Sequence, residues 1–290
     1  MKNVKIKSND STKLMNKVIY LLIVVLILYL LFKLYNYITN NNSNGKNQIV
    51  LNKDKFQDTT PSKELVLHLK LDGNTNDSSG NGYNGTWHSN KSYVNYVQDF
   101  RGTDEGAIDF HNNDGDHIRV PNPTHDLSGD ITIAMWIKRQ YSSGYGDGLI
   151  SKDDSKEFEL RFESTGLYFL HGTTVSPYTW LYKGPGLGEF KTKWQHLVVT
   201  RSGSGTSWTI KFYIDGELNV TNSTGSVSGS GLSSPNKSNR QIFIAAKNEN
   251  NGLHSGGQAT IGSSAFQYSG IMSDVRIYNY ALNETEVSRL

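Results

Sequence analysis

The stretch at residues 194–218, WQHLVVTRSGSGTSWTIKFYIDGEL, decides the fold class. Its second half alternates, with Trp208, Ile210, Phe212 and Ile214 on one face and Thr209, Lys211, Tyr213 and Asp215 on the other. A period of two with one apolar face is the pattern of a half-buried antiparallel strand. The run from Ser202 to Ser207 separates it from a first strand, Trp194 to Thr200, whose two faces are both apolar enough to lie among other strands in a sandwich core. Asp215-Gly216 then marks a tight hairpin, because both central residues of a type I′ turn take positive φ. Three strands in meander follow from this one stretch.

Outward from it the pattern persists. Leu65 to Leu71 alternates leucines against Val66, His68 and Lys70; residues 106–120 read as two strands joined by an Asn-Asp-Gly turn; Ile131 to Ile137 is a nearly continuous apolar strand with Trp136 expected in the core. After Ile38 no long helical period appears until Ala281 to Leu290, where Asn283 followed by Glu286 offers a variant capping box. One all-β domain over residues 65–290 accounts for this, and a chain of that size can fold on its core alone. With no cysteine, disulfides, thiolate metal sites and cysteine nucleophiles are excluded.

Three segments carry a resemblance. The tryptophan and histidine that head one strand before a Tyr-Ile-Asp-Gly close, the opening LHLKLDGNTNDSSGNGYNGT at 67–86, and the closing GIMSDVRIYNYALNETEVSRL at 270–290 resemble the laminin-G-like jelly roll of the concanavalin A-like lectin and glucanase group. The resemblance implies an antiparallel β-sandwich, a fold that hosts many functions.

The N-terminus has a different character. Lys2, Lys5, Lys7, Lys13 and Lys17 against Asp10 make residues 1–17 a basic tail; without them and Lys33 the rest carries 23 basic and 26 acidic residues, so no nucleic-acid face is expected. Residues 18–32, VIYLLIVVLILYLLF, are unbroken apolar chain, and continued to Ile38 they make a helix of about 31 Å, enough for a hydrocarbon core of about 30 Å. Lys33 can snorkel, and Tyr35 and Tyr37 suit the interface. No small-residue cleavage motif follows, which favours an uncleaved transmembrane signal anchor at 18–38 over a cleaved signal. The positive-inside rule then makes this a single-pass type II membrane protein, its domain extracytoplasmic beyond a flexible polar stalk at 39–64.

The loop opening at Asp72, Asn74, Asn76 and Asp77 places oxygens at alternate positions and reads either as a hard-cation site or as Asx turns. The resemblance implies a structural Ca²⁺ between this loop and the closing strand, with Asp72, Asn74 and Asp274 as ligands; where the family commonly has two adjacent acidic residues, this chain has Ser273 and Asp274. Glu157, Glu159, Arg161 and Glu163 share one strand face, but the arginine interrupts the carboxylate pattern of the related glucanases, and a solvated charged face is expected. His68 reads as an exposed or edge residue and His196 as a structural one. Gly184 to Gly188 lacks the ending of a phosphate loop. The stripe Tyr178, Trp180, Tyr182 fits either a core face or a sugar-stacking platform, and Tyr145, in the glycine-rich loop YSSGYGDG at 141–148, joins it as a candidate ligand residue. With NENNGLHSGG at 248–257 that loop forms a candidate rim.

The resulting expectation is a non-catalytic, lectin-like module on a membrane, recognising a glycan or a surface glycoprotein. The alternatives are a structural or protein-binding envelope component and a membrane-bound glycoside hydrolase. Asparagine and lysine richness fits an AT-rich genome, such as that of a large virus or a protist, and hence a viral envelope, an internal virion membrane or a cell surface.

Overall fold

In the computed structural model the described residues are Lys33 and residues 63–290 except 112–113, 141–146, 153–156, 173–178, 191, 206, 224–234, 236 and 248–266. The chain divides between Thr60 and Pro61 into two units, and the described strands belong to the second. The expected span at 18–38 lies outside the described residues apart from Lys33. Among the described residues no helix is long and apolar enough to cross a membrane.

Two antiparallel sheets carry the fold. The first runs β13 (Glu217–Ser223), β12 (Ser207–Ile214), β11 (Gln195–Ser204), β6 (Ile131–Arg139), β15 (Gly270–Tyr278), β4 (Ala107–Phe110) and β3 (Tyr96–Val97), with β1 (Leu65–Leu69) also paired to β15. The second runs β10 (Thr179–Lys183), β9 (Gly166–Gly172), β8 (Phe158–Glu163), β7 (Asp147–Lys152), β14 (Ile242–Ile244), β5 (His117–Val120) and β2 (Thr86–His88). This is the expected all-β sandwich, consistent with a jelly roll.

The deciding stretch behaves largely as its pattern dictates. Trp208, Ile210 and Phe212 are buried in the core between the sheets. Ile214 pairs with Glu217 across Asp215 (φ 53°) and Gly216 (φ 84°), the two left-handed residues that a type I′ turn needs. The glycine-serine run differs from expectation: Ser204 pairs with Ser207, so the ladder continues into it. Arg201 is fully buried in β11, and its guanidinium donates to the carbonyls of Leu127 (2.6 Å), Gly129 (2.9 and 2.7 Å) and Glu157 (2.7 Å), which ties the first sheet to the start of β8.

Two other expectations need correction. The turn after β4 does not close a hairpin, since β4 and β5 belong to different sheets and the chain crosses the sandwich there. Trp136 is not in the core: its neighbours Met135 and Ile137 take the inward positions, and Trp136 lies half-buried on the outer face under Phe100, the two rings stacked at 3.9 Å. Farther along that outer face, Ala134, Val198 and Tyr213 pack with Leu282 and with Val287 of the terminal helix α1 (Glu284–Val287). The expected cap is present, with Asn283 accepting from the Glu286 N–H (3.0 Å) and Glu286 from the Asn283 N–H (2.7 Å).

β15 organises the two ends of the sandwich. One end is marked by Leu65 opposite Tyr278, the other by Gly270 opposite Arg139. Between them the strand bulges at Asp274 (φ 55°), and there β1 gives way to β4 as its neighbour.

Candidate functional site

The four candidate ligand residues do not form one platform. Tyr182 is 1% exposed and packs among core residues, its ring 5.1 Å from that of His171, so it offers no face to a sugar. Trp180 is placed by its backbone opposite His171 in the β9–β10 ladder. Tyr145 and Tyr178 lie outside the described residues. The strand starts that follow them, Asp147 and Thr179, stand at opposite ends of the second sheet, because Asp147 is in the row of Phe162 and Leu167 whereas Thr179 faces Gly172. Five steps of β9 separate those rows, about 17 Å.

The carboxylates of β8 are not solvated as expected. Glu157 and Glu159 are both fully buried. Glu157 accepts from Lys152 Nζ (2.5 Å) and from the backbone N–H and hydroxyl of Ser238 (3.0 and 2.7 Å). Arg161 donates to Glu159 (3.0 Å) and to Glu163 (2.6 Å). Burial opposes the charge on Arg161, but the two carboxylates outweigh it and raise its pKa. Both carboxylates are thus engaged by one guanidinium, and Glu159 is buried away from solvent.

The expected calcium ligands are engaged otherwise. Asp274 receives Arg276 Nε (2.9 Å) and Nη2 (2.8 Å) and lies 2.6 Å from His68 Nε2, so His68, on the edge strand β1, is half-buried and hydrogen-bonded to it rather than exposed. Burial pushes the Asp274 carboxyl up, yet these bonds prevail and hold it at about 2. Ser273, fully buried, donates its hydroxyl to the carbonyl of Gly106 (2.7 Å), with that of Lys70 at 3.4 Å. Asn74 closes an Asx turn onto the Asn76 N–H (2.8 Å), and Asp77 organises the rest of the loop by accepting from the N–H groups of His68, Ser79 and Tyr83. A calcium ion at Asp274 would have to displace a guanidinium held at two points, so these residues do not fit the ion that the resemblance implies. Elsewhere, His111, Asp114 and Asp116 bring ligand atoms within 4.8 Å of one another and can hold a metal. Lys91 already lies 2.5 Å from Asp114, and Ser89 donates to Asp116.

A different group occupies the end marked by Gly270. The inward register of β6, Ile131, Ile133, Met135, Ile137, terminates on Arg139. Its Nη2 lies 3.4 Å from Asp147 Oδ2 and its guanidinium 4.5 Å over the Phe162 ring; the two charged side chains are 10% and 2% exposed. Tyr268 is fully buried beside them. Burial raises its phenol pKa, Arg139 lowers it, and Asp147 and Asp109 raise it further. Gly270 (φ 152°) makes room for it, since a Cβ there would stand 2.6 Å from the Tyr268 hydroxyl. Arg139 Nε and the Tyr268 hydroxyl have no hydrogen-bond partner among the described residues. The Gln140 N–H reaches the Ser269 carbonyl (3.5 Å) and Ala246 bridges Gln267, so the chain flanking 141–146 and 248–266 converges at this end. Sequence reading missed Arg139, Asp147 and Tyr268; the available signal was an arginine falling in the inward register of an otherwise apolar strand.

Comparison with known proteins accords with this architecture. Residues 112–288 match the family model described as the concanavalin A-like lectin/glucanases superfamily. The chain belongs to that superfamily. No curated protein matches this superfamily member. Among solved structures it is similar to domain 4 of AbnA, a GH43 extracellular arabinanase from Geobacillus stearothermophilus, in complex with arabinotriose, at 18% identity and a TM-score of 0.53, covering 78% of this chain and 98% of that one. It is also similar to the botulinum neurotoxin serotype G binding domain (17%, TM-score 0.53) and to the botulinum neurotoxin DC binding domain in complex with rat synaptotagmin II (16%, TM-score 0.52). Each toxin match covers 78% of this chain and 50% of the other, so this superfamily member spans half the length of those binding domains. At such identities the likeness shows the fold alone.

Proposed function

We propose that the chain is a membrane-anchored recognition module that binds a glycan or a surface glycoprotein and catalyses nothing. The observation that carries this reading is the two-sheet antiparallel sandwich together with the match of residues 112–288 to the concanavalin A-like lectin/glucanases superfamily. Similar structures support the class: one is an arabinanase domain in complex with arabinotriose, another a toxin binding domain in complex with synaptotagmin II. Glu159 and Glu163 are both engaged by Arg161, and Glu159 is fully buried, an arrangement unlike the substrate-facing carboxylate pair that flanks the bond in glycoside hydrolysis. Many copies on one surface would turn weak single sites into avid binding.

The test is the full-length chain in detergent, probed on a glycan array and in a reducing-sugar release assay. Binding without release supports the reading. Turnover that disappears in Glu159→Gln would establish the hydrolase instead, and a blank array with capture of a deglycosylated surface protein would establish the protein-binding alternative. Protease treatment of intact cells should remove the domain and spare an N-terminal tag.

A further inference from the structure

We propose that His111, Asp114 and Asp116 bind a divalent transition-metal ion where the chain crosses from the first sheet to the second. β4 ends at Phe110 and β5 begins at His117, so all three residues lie on the crossing itself. Backbone bonds hold it in shape: the Asp114 N–H reaches the His111 carbonyl (3.1 Å), Gly115 turns the chain with φ 74°, and the Asn90 N–H docks the segment after β2 on the Asp114 carbonyl (2.7 Å). One ligand atom from each side chain lies within 4.8 Å of the others. His111 Nδ1 and Asp116 Oδ2 stand 3.6 Å apart, too far for a hydrogen bond. That spacing is close to the roughly 3.4 Å between two ligands that each lie about 2.0–2.1 Å from a tetrahedral ion. The nitrogen is buried and has no hydrogen-bond partner among the described residues, a cost that an ion on its lone pair removes.

The cluster reaches solvent through Asp114 and His111, whose side chains are 28% and 37% exposed, while Asp116 forms its floor at 2%. A cation of the protein itself already stands at the mouth, Lys91 Nζ on Asp114 Oδ2. A pair so open to solvent contributes little, so an ion displaces this ammonium far more readily than it would the two-point grip of Arg276 on Asp274. Asp116 keeps an oxygen for the ion: Ser89 donates to Oδ1 (2.5 Å), and the His111 N–H to Oδ2 (3.0 Å) leaves that oxygen a second lone pair. The donor set chooses the class. An imidazole nitrogen with two carboxylates suits Zn²⁺ and its first-row neighbours, one position remaining for water, whereas Ca²⁺ and Mg²⁺ take oxygen ligands. Asp109, whose Oδ2 lies 3.7 Å from His111 Nε2, stands behind the ring, where a carboxylate steadies a metal-bound imidazole. A bound ion ties the two sides of the crossing together and so stabilises the folded domain.

The experiment strips the full-length chain in detergent of metal, removes the chelator, and follows melting midpoint and calorimetric affinity as Zn²⁺, Ca²⁺ or Mg²⁺ is added to wild type, His111→Ala and Lys91→Met. A midpoint that rises with Zn²⁺ and not with the other two is expected, because an ion bound only to the native state stabilises it. Zn²⁺ affinity should fall about tenfold or more in His111→Ala. The metal-free midpoint of that variant should stay near wild type, since Nδ1 has no bond to lose among the described residues. Lys91→Met should bind Zn²⁺ more tightly, as the competing ammonium is gone, and this variant decides the matter even if His111→Ala does not fold. No Zn²⁺ response in wild type or Lys91→Met would overturn the site. An undiminished response in His111→Ala, or an affinity unchanged in Lys91→Met, would place the ion elsewhere and overturn it as well. A Ca²⁺ response equal to that of Zn²⁺ would overturn the class of ion.

Discussion

Arg276 grips Asp274 at two points across the β15 bulge, Nε on Oδ1 at 2.9 Å and Nη2 on Oδ2 at 2.8 Å. The two residues stand where the resemblance places a calcium ion, and the guanidinium supplies the counter-charge itself. Ser273, one position earlier, holds the Gly106 carbonyl with its hydroxyl, an oxygen that a cation would otherwise claim. The melting midpoint of the full chain should therefore be the same in calcium and in chelator. Ser273→Asp should place an uncompensated carboxylate in that buried position, lower the midpoint, and recover part of the loss when calcium is added. A wild-type midpoint that climbs by several degrees with calcium would sink this account, because a ligand bound only to the native state must raise its stability.

Acid should unfold the domain from well above the carboxylate range. Burial lowers His117 and His196 to about 4 each. His117 is held neutral at both nitrogens: its Nδ1 donates to the Gly115 carbonyl (2.7 Å) while its Nε2 accepts from Arg119 Nε (3.0 Å). A folded pKa below the unfolded value of 6.5 means stability that is intact above pH 6.5 and lost as pH falls toward 4, about 3 kcal/mol per histidine by pH 4. Asp274 adds a second loss lower down, between the unfolded 3.8 and its folded value of about 2. Denaturant midpoints measured from pH 7.5 to 4 should fall steadily, and His117→Gln should flatten the upper part of that curve. A level profile down to pH 4.5 would refute the assignment.

How far residues announce their roles differs between strand and site. Ile210, Phe212, Asp215 and Gly216 were legible because period-two burial and a turn that demands positive φ are local properties. Trp136 was not, since its outward position shows only once Phe100, 36 residues earlier, is found stacked on it. Glu157 looked solvated for the same reason: Lys152 precedes it nearby, but Ser238 and Arg201 come from distant chain, and together they make its burial tolerable. Tyr182 misled in the other direction, as an aromatic on alternate positions reads alike whether its face meets a sugar or the core. Tyr268 lies in a polar run with no period at all, so nothing local marks its burial.

Loss of the helix cap should be modest and local. Asn283→Ala removes the side-chain acceptor for the Glu286 N–H, leaves the backbone N–H bond to Glu286, and loosens α1 over Ala134, Val198 and Tyr213. A cost of about 1 kcal/mol is expected in denaturant unfolding. A change above 3 kcal/mol would mean that α1 supports the sheet far more than its one turn suggests.

The largest single-residue cost is expected at Arg201. Burial lowers its pKa to about 10, still far above neutrality, so it enters the core charged. Four bonds to the carbonyls of Leu127, Gly129 and Glu157 satisfy it, and the rings of Trp208 (5.3 Å) and Phe169 (5.8 Å) flank its plane. Lysine retains the charge but cannot reach three carbonyls in that planar fork. Arg201→Lys should cost roughly 3–5 kcal/mol, as for a buried charge stripped of partners, and Arg201→Met somewhat less, because it removes the charge along with the bonds. That ordering is the diagnostic part. If Met proves worse than Lys in equilibrium unfolding, the position needs a cation for another purpose, and the carbonyl bonds are not what hold the two sheets together there.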